Sequence, residues 1–333
     1  MSPRITIADV AREAGVSQQT VSRVLNDKRE ISPATRERIL LVIQRLGYRP
    51  SRIARGLATS RTMTIGLIVP DIGNPFFSEM ARGADRAAHE AGYSLLLGNT
   101  FEDAQREADV LHALEDKRVD GFILCSSRLP QDKLDEFCAS QPAVVLVNRE
   151  SQHAGVGTVR VDDAAGAREA VRHLVAQGRR VIGFLAGPAA SYSGQDRVTG
   201  YRAALAQAGL ALDPQLVVHS LPYLEGGRQA ALSLLTARLD VNALLCYNDL
   251  VAVGALQACA KLGRRVPEDV AVIGCDDIPL AEMVTPPLTT LSISQQDLGA
   301  QAVKLLLNKL GGRDGERRDI VLRPLLVIRA SAP

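Results

Sequence analysis

Three polar side chains near the N-terminus have the chemistry that reads the edges of DNA bases. Gln18, Gln19 and Arg23 lie within one stretch of six residues. A glutamine amide can both donate to and accept from adenine, and an arginine guanidinium can donate two hydrogen bonds to guanine. The stretch therefore predicts base contacts in a major groove.

Short polar side chains in the same region suit the phosphate oxygens that orient a protein on a duplex. The candidates are Thr6, Ser17, Thr20, Ser22 and Asn26. Phosphate contacts carry no sequence information, so these residues are expected to position the side chains that read the bases.

Two short helices joined by a turn are expected to present these residues. Thr6 is a good N-cap, and Asp9, three positions later, makes a variant of the capping box. Gly15 is expected to end the first helix, and Ser17 to cap the second. The apolar faces follow helical spacing at Ile7, Val10, Ala11, Ala14, Val21, Val24 and Leu25. The pattern predicts a helix-turn-helix; the alternative is any small bundle with two amphipathic helices.

A third helix is predicted after the pair. Ser32 is its N-cap, Pro33 stands in its first turn and Gly47 is its C-cap. Its apolar residues are expected to complete a three-helix core, and they are Ile39, Leu40, Ile43 and Leu46.

The charge of the chain is divided unevenly between this head and the remainder. Residues 1–61 hold 12 Lys and Arg against 5 Asp and Glu, a net charge of +7. The remaining residues hold 27 against 32, a net charge of −5, so the overall value of +2 conceals the asymmetry. A basic head on an acidic body is typical of a nucleic-acid binder.

The segment that follows the head can be interpreted either as a short helix or as a linker. Pro50 ends the third helix, and Ser51 can cap one short helix that reaches Ala58. Such a helix is too short to be stable alone in water, and Gly56 weakens it further. The residues by themselves are equally compatible with a flexible linker.

Residues 4–60 resemble the headpiece of the LacI/GalR family of bacterial transcriptional regulators. The matching motifs are Thr6–Ile7, Asp9–Ala11, Ala14–Ser17, Thr20–Asn26, Gly47–Pro50 and Ala54–Leu57. The resemblance implies that Gln18, Gln19 and Arg23 occupy base-reading positions.

The same resemblance implies a hinge helix over residues 51–58 that forms when two copies pack together on operator DNA. Leu57 matches the apolar wedge that enters the minor groove, with Ser51, Ala54 and Arg55 beside it. An apolar wedge unstacks one base step and kinks the duplex, which brings more protein onto the DNA.

From Thr64 onward, short apolar runs alternate with longer amphipathic stretches. The runs are Ile65–Val69, Ser94–Leu97, Gly121–Cys125, Val144–Val147, Val159–Val161, Val181–Leu185, Leu216–Val218, Ala243–Leu245 and Val270–Ile273. Nearly continuous apolar strands separated by helices predict doubly wound α/β lobes with parallel sheets. About 270 residues is large for one such sheet, so two lobes are expected.

The body resembles the periplasmic sugar-binding fold that the family joins to its head. The resemblance implies three chain crossings, which we place near Val161–Asp163, Leu291–Ser294 and Asp319–Leu322. The expected domains are a head over 1–50, a hinge and linker over 51–61, and a body over 62–333. Lobe one is expected at about 62–161 and 293–320, and lobe two at about 162–292 and 321–333.

Ligands of open parallel sheets bind at the carboxyl ends of the strands, so the polar runs after the strands are candidates for an effector site. Phe76, Phe77 and Phe101 can face the C–H groups of a sugar. The polar candidates are Ser126, Asn148, Arg149, Ser191, Ser193, Arg197, Asn248 and Asp276. Phe77 can equally belong to the core, Asn248 can equally cap a helix, and Arg197 can equally pair with a carboxylate.

The chemistry of the effector stays open between two classes. Aromatic residues make up 4% of the chain and Trp is absent, which favours a polar ligand over a stacked purine. Arg149 and Arg197 would suit a sugar acid, because arginine pairs well with carboxylate and phosphate. Arginine also binds neutral sugars, so both classes remain.

Other classes of function lack their sequence motifs. The N-terminus has no apolar stretch typical of a signal peptide, and no apolar run approaches 18 residues, so a cytoplasmic protein without a membrane span is expected. The histidines have no metal-ligand spacing, and neither a phosphate-binding loop nor a nucleophile elbow occurs. We therefore expect no metal, no cofactor and no enzyme activity. The five dispersed cysteines are expected to be reduced core thiols.

The resemblance and the residues together predict a bacterial transcriptional regulator, most simply a repressor. It is expected to bind a pseudo-palindromic operator as a homodimer and to respond to a sugar or sugar acid. The direction of the response stays open. The alternative is a cytosolic sugar-binding protein or sugar-processing enzyme with an α/β body.

Overall fold

The computed structural model describes residues 5–25, 30–48, 61–153, 155–312 and 319–333. They fall into two compact units, Met1–Met63 and Thr64–Pro333. The predicted minor-groove residues Ser51, Ala54, Arg55 and Leu57, and the predicted phosphate contact Asn26, lie outside the described residues.

The helices in the described part of the first unit are α1 (Ile7–Ala14), α2 (Gln18–Leu25) and α3 (Pro33–Leu46). The capping box at the start of α1 is complete, because the Thr6 side chain accepts from the Asp9 backbone while the Asp9 side chain accepts from the Thr6 backbone. Gly15 takes the left-handed conformation, with φ 65°, and turns the chain towards α2.

The core of the head corrects one prediction about α3. Leu40 is 49% exposed, whereas Val42 is 7% exposed and packs against Ile39 and the first two helices. Positions 39, 42, 43 and 46 form a single helical stripe, and position 40 lies off it. Leu40 is therefore not a core residue, because its place in the helical turn directs its side chain to solvent.

The second unit is built on two six-stranded sheets, and the doubly wound α/β prediction is confirmed. The first sheet contains β1 (Thr64–Val69), β2 (Ser94–Asn99), β3 (Gly121–Cys125), β4 (Val144–Val147), β5 (Gly157–Val161) and β11 (Asp319–Leu322). The second contains β6 (Ile182–Gly187), β7 (Val217–His219), β8 (Ala243–Cys246), β9 (Ala271–Asp276), β10 (Thr289–Ser292) and β12 (Leu325–Val327). Their orders are β11-β5-β4-β3-β1-β2 and β12-β10-β9-β8-β6-β7. All pairs are parallel except β10 with β12.

Helices cover both sheets. They are α4 (Pro75–Glu90), α5 (Ala104–Asp116), α6 (Gln131–Ser140), α7 (Asp163–Ala176), α8 (Tyr192–Gln207), α9 (Leu224–Ala237), α10 (Asp249–Lys261), the short α11 (Leu280–Met283) and α12 (Gln295–Leu310). We call the first sheet with its helices lobe one and the second sheet with its helices lobe two. Helix α12 belongs to lobe one because it packs on α4 and on β3 to β5.

The chain passes between the lobes three times, and the third crossing differs from the prediction. The first two passages follow β5 and β10, as the sequence suggested. Strand β11 pairs with β5 through Leu322, which is opposite Val161, so Leu322 still belongs to lobe one. The third crossing therefore lies at Arg323–Pro324, after the segment Asp319–Leu322 where we placed it.

The five cysteines are free and buried. Burial raises the pKa of each of the thiols of Cys125, Cys246 and Cys275 well above the ordinary value for cysteine. These side chains therefore pack as neutral groups. Among the helices of the described ranges, none is both long enough and apolar enough to cross a membrane.

Glycines allow paired helices to approach closely within each lobe. A Cβ at Gly299 of α12 would overlap the carbonyl oxygen of Met80 in α4, and one at Gly83 would overlap the carbonyl of Gln296. In lobe two, Gly227 of α9 and Gly254 of α10 play the same part. The two backbones of each pair are therefore nearly in contact.

Replacement of Gly299 by Ala tests this close approach. Alanine favours a helix by about 1 kcal/mol over glycine, but here its Cβ requires α4 and α12 to separate. We expect a net loss of about 1–3 kcal/mol in the free energy of unfolding, measured by urea denaturation. Lys304→Ala, at an exposed position of the same helix, should change stability by less than about 0.5 kcal/mol. A Gly299→Ala protein as stable as the parent would contradict the close packing.

Candidate functional site

The carboxyl ends of the parallel strands carry residues with unusual backbone conformations. Ser126 follows β3 with φ 48°, Asn148 follows β4 with φ 52°, and Asp276 ends β9 with φ 118°. Residues other than glycine rarely adopt a positive φ unless the surrounding structure supports it. Such residues concentrate at functional sites. The strained turns place these three polar side chains at a common cleft.

The cleft takes its lining residues from both lobes. Its lining consists of Asp71, Asn74, Phe76, Phe77, Glu102, Ser126, Asn148, Ser193, Arg197, Pro222, Tyr223, Tyr247, Asn248 and Asp276. Eight of these were predicted effector residues, and each of the eight is buried. They are Phe76, Phe77, Ser126, Asn148, Ser193, Arg197, Asn248 and Asp276.

Three predicted effector residues lie outside the lining. Phe101 is 57% exposed, and the Arg106 guanidinium covers its ring at 4.7 Å. Arg149 donates from Nη2 to the Leu129 carbonyl at 3.0 Å. Ser191 is fully buried, where its hydroxyl accepts from the Gly194 backbone and bonds the Tyr247 hydroxyl at 2.9 Å. Each of the three side chains thus has a contact outside the lining, although Arg149 Nε is buried without a hydrogen-bond partner among the described residues.

Several lining residues were not predicted individually. Asp71 and Asn74 lie in a polar run after β1 that the sequence indicated, and Tyr247 directly follows β8. Glu102 adjoins Phe101, and both have positive φ, so the neighbour of the predicted residue reaches the cleft instead. Tyr223 lies in the loop that joins β7, which ends at His219, to α9, and none of the predicted effector residues lies in that loop.

Arg197 is held rigidly in lobe two. Its Nε donates to Asp163 Oδ1 at 2.8 Å, and its Nη1 donates to the Tyr247 carbonyl at 2.5 Å. Burial opposes its charge, but Asp163 and other nearby anionic groups raise the pKa of Arg197 well above its ordinary value. The guanidinium therefore both pairs with a carboxylate and lines the cleft.

Two asparagines of the lining are oriented by the backbone around them. Asn248 caps α10, accepting from the Val251 backbone at 2.8 Å, and donates from Nδ2 to the Pro222 carbonyl at 3.0 Å. Asn148 Oδ1 accepts from the Val161 backbone at 2.9 Å, at the first crossing. Asn248 thus fulfils the capping role that the sequence allowed, and it still borders the cleft.

Two other lining groups are available to a ligand. Burial raises the pKa of Asp276 well above its ordinary value, although Arg197 opposes the shift. The Ser193 hydroxyl is buried without a hydrogen-bond partner among the described residues. An unpaired buried hydroxyl is costly in a folded protein, so a ligand in the cleft is its natural partner.

The predicted base-reading residues lie together on the outer face of α2. Gln18, Gln19 and Arg23 are all exposed, and Arg23 Nη1 lies 3.4 Å from Glu30 Oε2. The hydroxyls of Thr6 and Ser17 cap α1 and α2, so their side chains have structural roles besides any contact to phosphate.

Comparison with known proteins places both units in one family. Residues 6–51 match the model for bacterial regulatory proteins of the lacI family. Residues 62–328 match the model for periplasmic binding proteins and the sugar binding domain of the LacI family.

Individual relatives match along nearly the whole chain. The transcriptional repressor CytR of Escherichia coli (strain K12) is 35% identical, over 98% of this chain and 96% of its own length. The transcriptional regulator CelR, in its complex with cellobiose, is 34% identical in sequence to this chain, and the two structures superpose with a TM-score of 0.75. The match covers 98% of this chain and 100% of the CelR chain. A lac repressor dimer bound to operator and the anti-inducer ONPF is 28% identical with a TM-score of 0.89, over 99% of both chains.

Two serines of α8 and its cap provide a matched test of the site. Ser193→Ala removes a hydroxyl without a described partner, so we expect the free energy of unfolding to stay within about 0.5 kcal/mol of the parent or to rise. Ser191→Ala removes a helix cap and the bond to Tyr247, and it should lose about 1–2 kcal/mol. Urea denaturation of both variants measures the difference. Equal losses would mean that Ser193 has a structural partner after all.

Proposed function

Because the chain belongs to the LacI family of bacterial regulatory proteins, it is a DNA-binding transcriptional regulator, and we propose that it is a repressor controlled by a sugar bound in the cleft. One observation carries the proposal: buried polar side chains from both lobes, including the Ser193 hydroxyl, converge on the cleft of a chain that also has a helix-turn-helix head.

In the proposed complex, α2 enters the major groove and presents Gln18, Gln19 and Arg23 to the bases. Two copies of the chain bind the two halves of a pseudo-palindromic operator, since half-site symmetry mirrors the symmetry of a dimer. The positive net charge of residues 1–61 supports binding to phosphates. Residues 51–61 act as the hinge, with Leu57 as the minor-groove wedge.

The cleft provides a means of control because its walls belong to different lobes. Ser126 and Asn148 belong to lobe one, whereas Arg197 and Asp276 belong to lobe two. A ligand that contacts both sets binds one arrangement of the lobes better than another. Where DNA also prefers one of these arrangements, the ligand changes the affinity for DNA, and DNA changes the affinity for the ligand by the same factor. The cellobiose in the CelR complex supports a sugar as the ligand.

We place this activity in the bacterial cytoplasm, on the nucleoid when the operator is occupied. A sugar-processing enzyme or a simple sugar-binding protein is the other interpretation of the α/β body. The curated relatives CytR, DegA and PurR are regulators, and they favour transcriptional control.

Arg23→Ala tests the proposed base reading. Operator sequences are first selected from genomic fragments with the full-length protein, and affinities are then measured by fluorescence anisotropy. We expect discrimination between operator and random DNA to fall by about 1–3 kcal/mol, because a bidentate contact to guanine is lost. Arg45→Ala removes the same charge from α3 and should affect both DNAs equally. Equal losses for Arg23→Ala would mark a phosphate contact instead.

Asp276→Asn tests the proposed control by ligand. The variant should bind operator as the parent does but should no longer respond to the sugar, since the amide places an NH₂ donor where the carboxyl group has an oxygen that can accept. Its neighbour Asp277 pairs with Arg329 at 2.8 Å and does not line the cleft, so Asp277→Asn is the matched control. A normal dose response from Asp276→Asn would remove this residue from the site.

A further inference from the structure

We propose that an extended acidic segment of a partner protein docks beside strand β12, in a groove between that strand and helix α7. The groove lies in lobe two and shares no residue with the lining of the cleft. The inference concerns a second surface of the regulator, so it does not depend on which ligand occupies the cleft.

The groove has two walls that meet at one end. One wall is a single face of α7, whose residues recur at helical spacing and are Ala165, Arg168, Glu169, Arg172 and His173. The other wall follows the third crossing and β12, through residues 323–326 and Ile328, and Gln207 of α8 completes the lining. A Cβ on Gly166 would lie 2.8 Å from Pro324 Cγ, so helix and crossing are in close contact where the walls meet.

Strand β12 forms an edge of its sheet. Among the described strands, it pairs with β10 on one side and with none on the other. The free side of an edge strand presents backbone N–H and C=O groups with which an added strand can pair. In such complexes the backbone bonds provide affinity, and the neighbouring side chains decide which sequence is accepted.

The side chains of the groove carry a net positive charge. Its arginines are Arg168, Arg172 and Arg323, and its one carboxylate, that of Glu169, already pairs with Arg172. Arg168 and Arg323 have neither a hydrogen-bond partner nor an ion-pair partner within the described ranges. The remainder of the chain after residue 61 has a net charge of −5, so this positive groove lies on an acidic body. Charge complementarity therefore favours an acidic occupant.

The same charges disfavour a second copy of this chain as the occupant. Two β12 edges placed side by side would bring arginines towards arginines, and like charges on paired strands are destabilising. Natural proteins use charged side chains and proline to keep edge strands from pairing with each other. Pro324 precedes the strand and leaves the N–H groups of Leu325–Val327 intact. The edge thus repels its own kind and attracts a strand of opposite charge.

The two faces of β12 determine the sequence pattern of the occupant. Leu326 packs against the core beneath α7 and α8, whereas Leu325 is 70% exposed. Successive side chains of a strand point to opposite faces of the sheet. An added strand would therefore place every second side chain on the α7 side, near Arg168, and the others on the side of Leu325. A segment of alternating acidic and apolar residues fits both faces.

The test measures binding of a fluorescent peptide to the full-length protein by anisotropy. The probe has eight residues, in which glutamate alternates with valine. An excess of unlabelled duplex DNA occupies the head, because the positive charge of the head would otherwise attract the probe. We expect saturable binding that weakens at least about tenfold when the glutamates are replaced by glutamines, and that weakens as the salt concentration is raised.

A double substitution, Arg168→Gln with Arg323→Gln, removes the two unpaired charges of the groove. It should weaken binding of the glutamate probe about tenfold. Arg202→Gln, at an exposed position of α8 outside the groove, is the matched control and should leave the affinity unchanged. Thermal unfolding followed by circular dichroism verifies that each variant folds like the parent.

Methylation of the probe backbone tests strand addition itself. Successive N–H groups of a strand point to opposite sides, so N-methylation of the glutamates blocks one edge of the probe and N-methylation of the valines blocks the other. One methylated probe should bind as the unmodified probe does, and the other should not bind.

Each outcome decides for or against the inference. Loss of binding by one methylated probe, together with weaker binding to the arginine variant, would support it. Equal binding of both methylated probes, equal binding of the glutamate and glutamine probes, or no binding at all would overturn it. A change in sedimentation coefficient for Leu325→Glu would assign the groove to a second copy of the chain and overturn it as well. Control by a sugar in the cleft is measured separately, so its failure would leave this result unaffected.

Discussion

The buried ion pair between Arg197 and Asp163 connects the parts of lobe two that form the site. Asp163 begins α7 immediately after the first crossing, Arg197 projects from α8, and the same guanidinium binds the carbonyl of Tyr247 after β8. Taking two charges out of water is costly, so such a pair is weak evidence for stability. Removal of either partner would leave an uncompensated buried charge, however, and this constraint specifies one arrangement of crossing, helix and strand end.

The packing of the two lobes explains why three residues at the cleft can keep a strained backbone conformation. Ser126, Asn148 and Asp276 have positive φ values at the ends of three strands. Such conformations cost free energy and persist where well-packed structure determines them. The closely packed helix pairs and the continuous apolar strands provide that support. Each lobe is therefore closely packed around its sheet, and the three crossings are the segments that join the two lobes.

The electrostatics of the two units serve different partners. The head combines a positive net charge with exposed amide and guanidinium groups on α2, as binding to a polyanion requires. The cleft carries charges of both signs, in which Asp163 pairs with Arg197 and Arg128 pairs with Glu102. One chain thus presents a positive net charge to DNA and a cleft of largely compensated charge to its proposed small ligand.

The sequence by itself determined the head and the class of the body. Helix caps, turn glycines and apolar stripes depend on residues that are at most a few positions apart in sequence. The roles of Thr6, Asp9 and Gly15 could therefore be predicted from their neighbours in the sequence. The strand runs likewise predicted parallel sheets, and the strand ends predicted eight of the lining residues. Leu40 is hydrophobic, but its place in the helical turn directs it away from the core of the head.

Only the tertiary structure decided which side chains face the cleft and which charges are already paired. Consecutive residues of a loop point in directions set by φ and ψ, so Glu102 lines the cleft and Phe101 does not. Tyr223 lines the cleft from the loop after β7, in which no effector residue was predicted. Asp163 neutralises Arg197 across 34 positions of sequence. Periodicity describes neighbours along an element, and it contains no information about partners that the fold brings together.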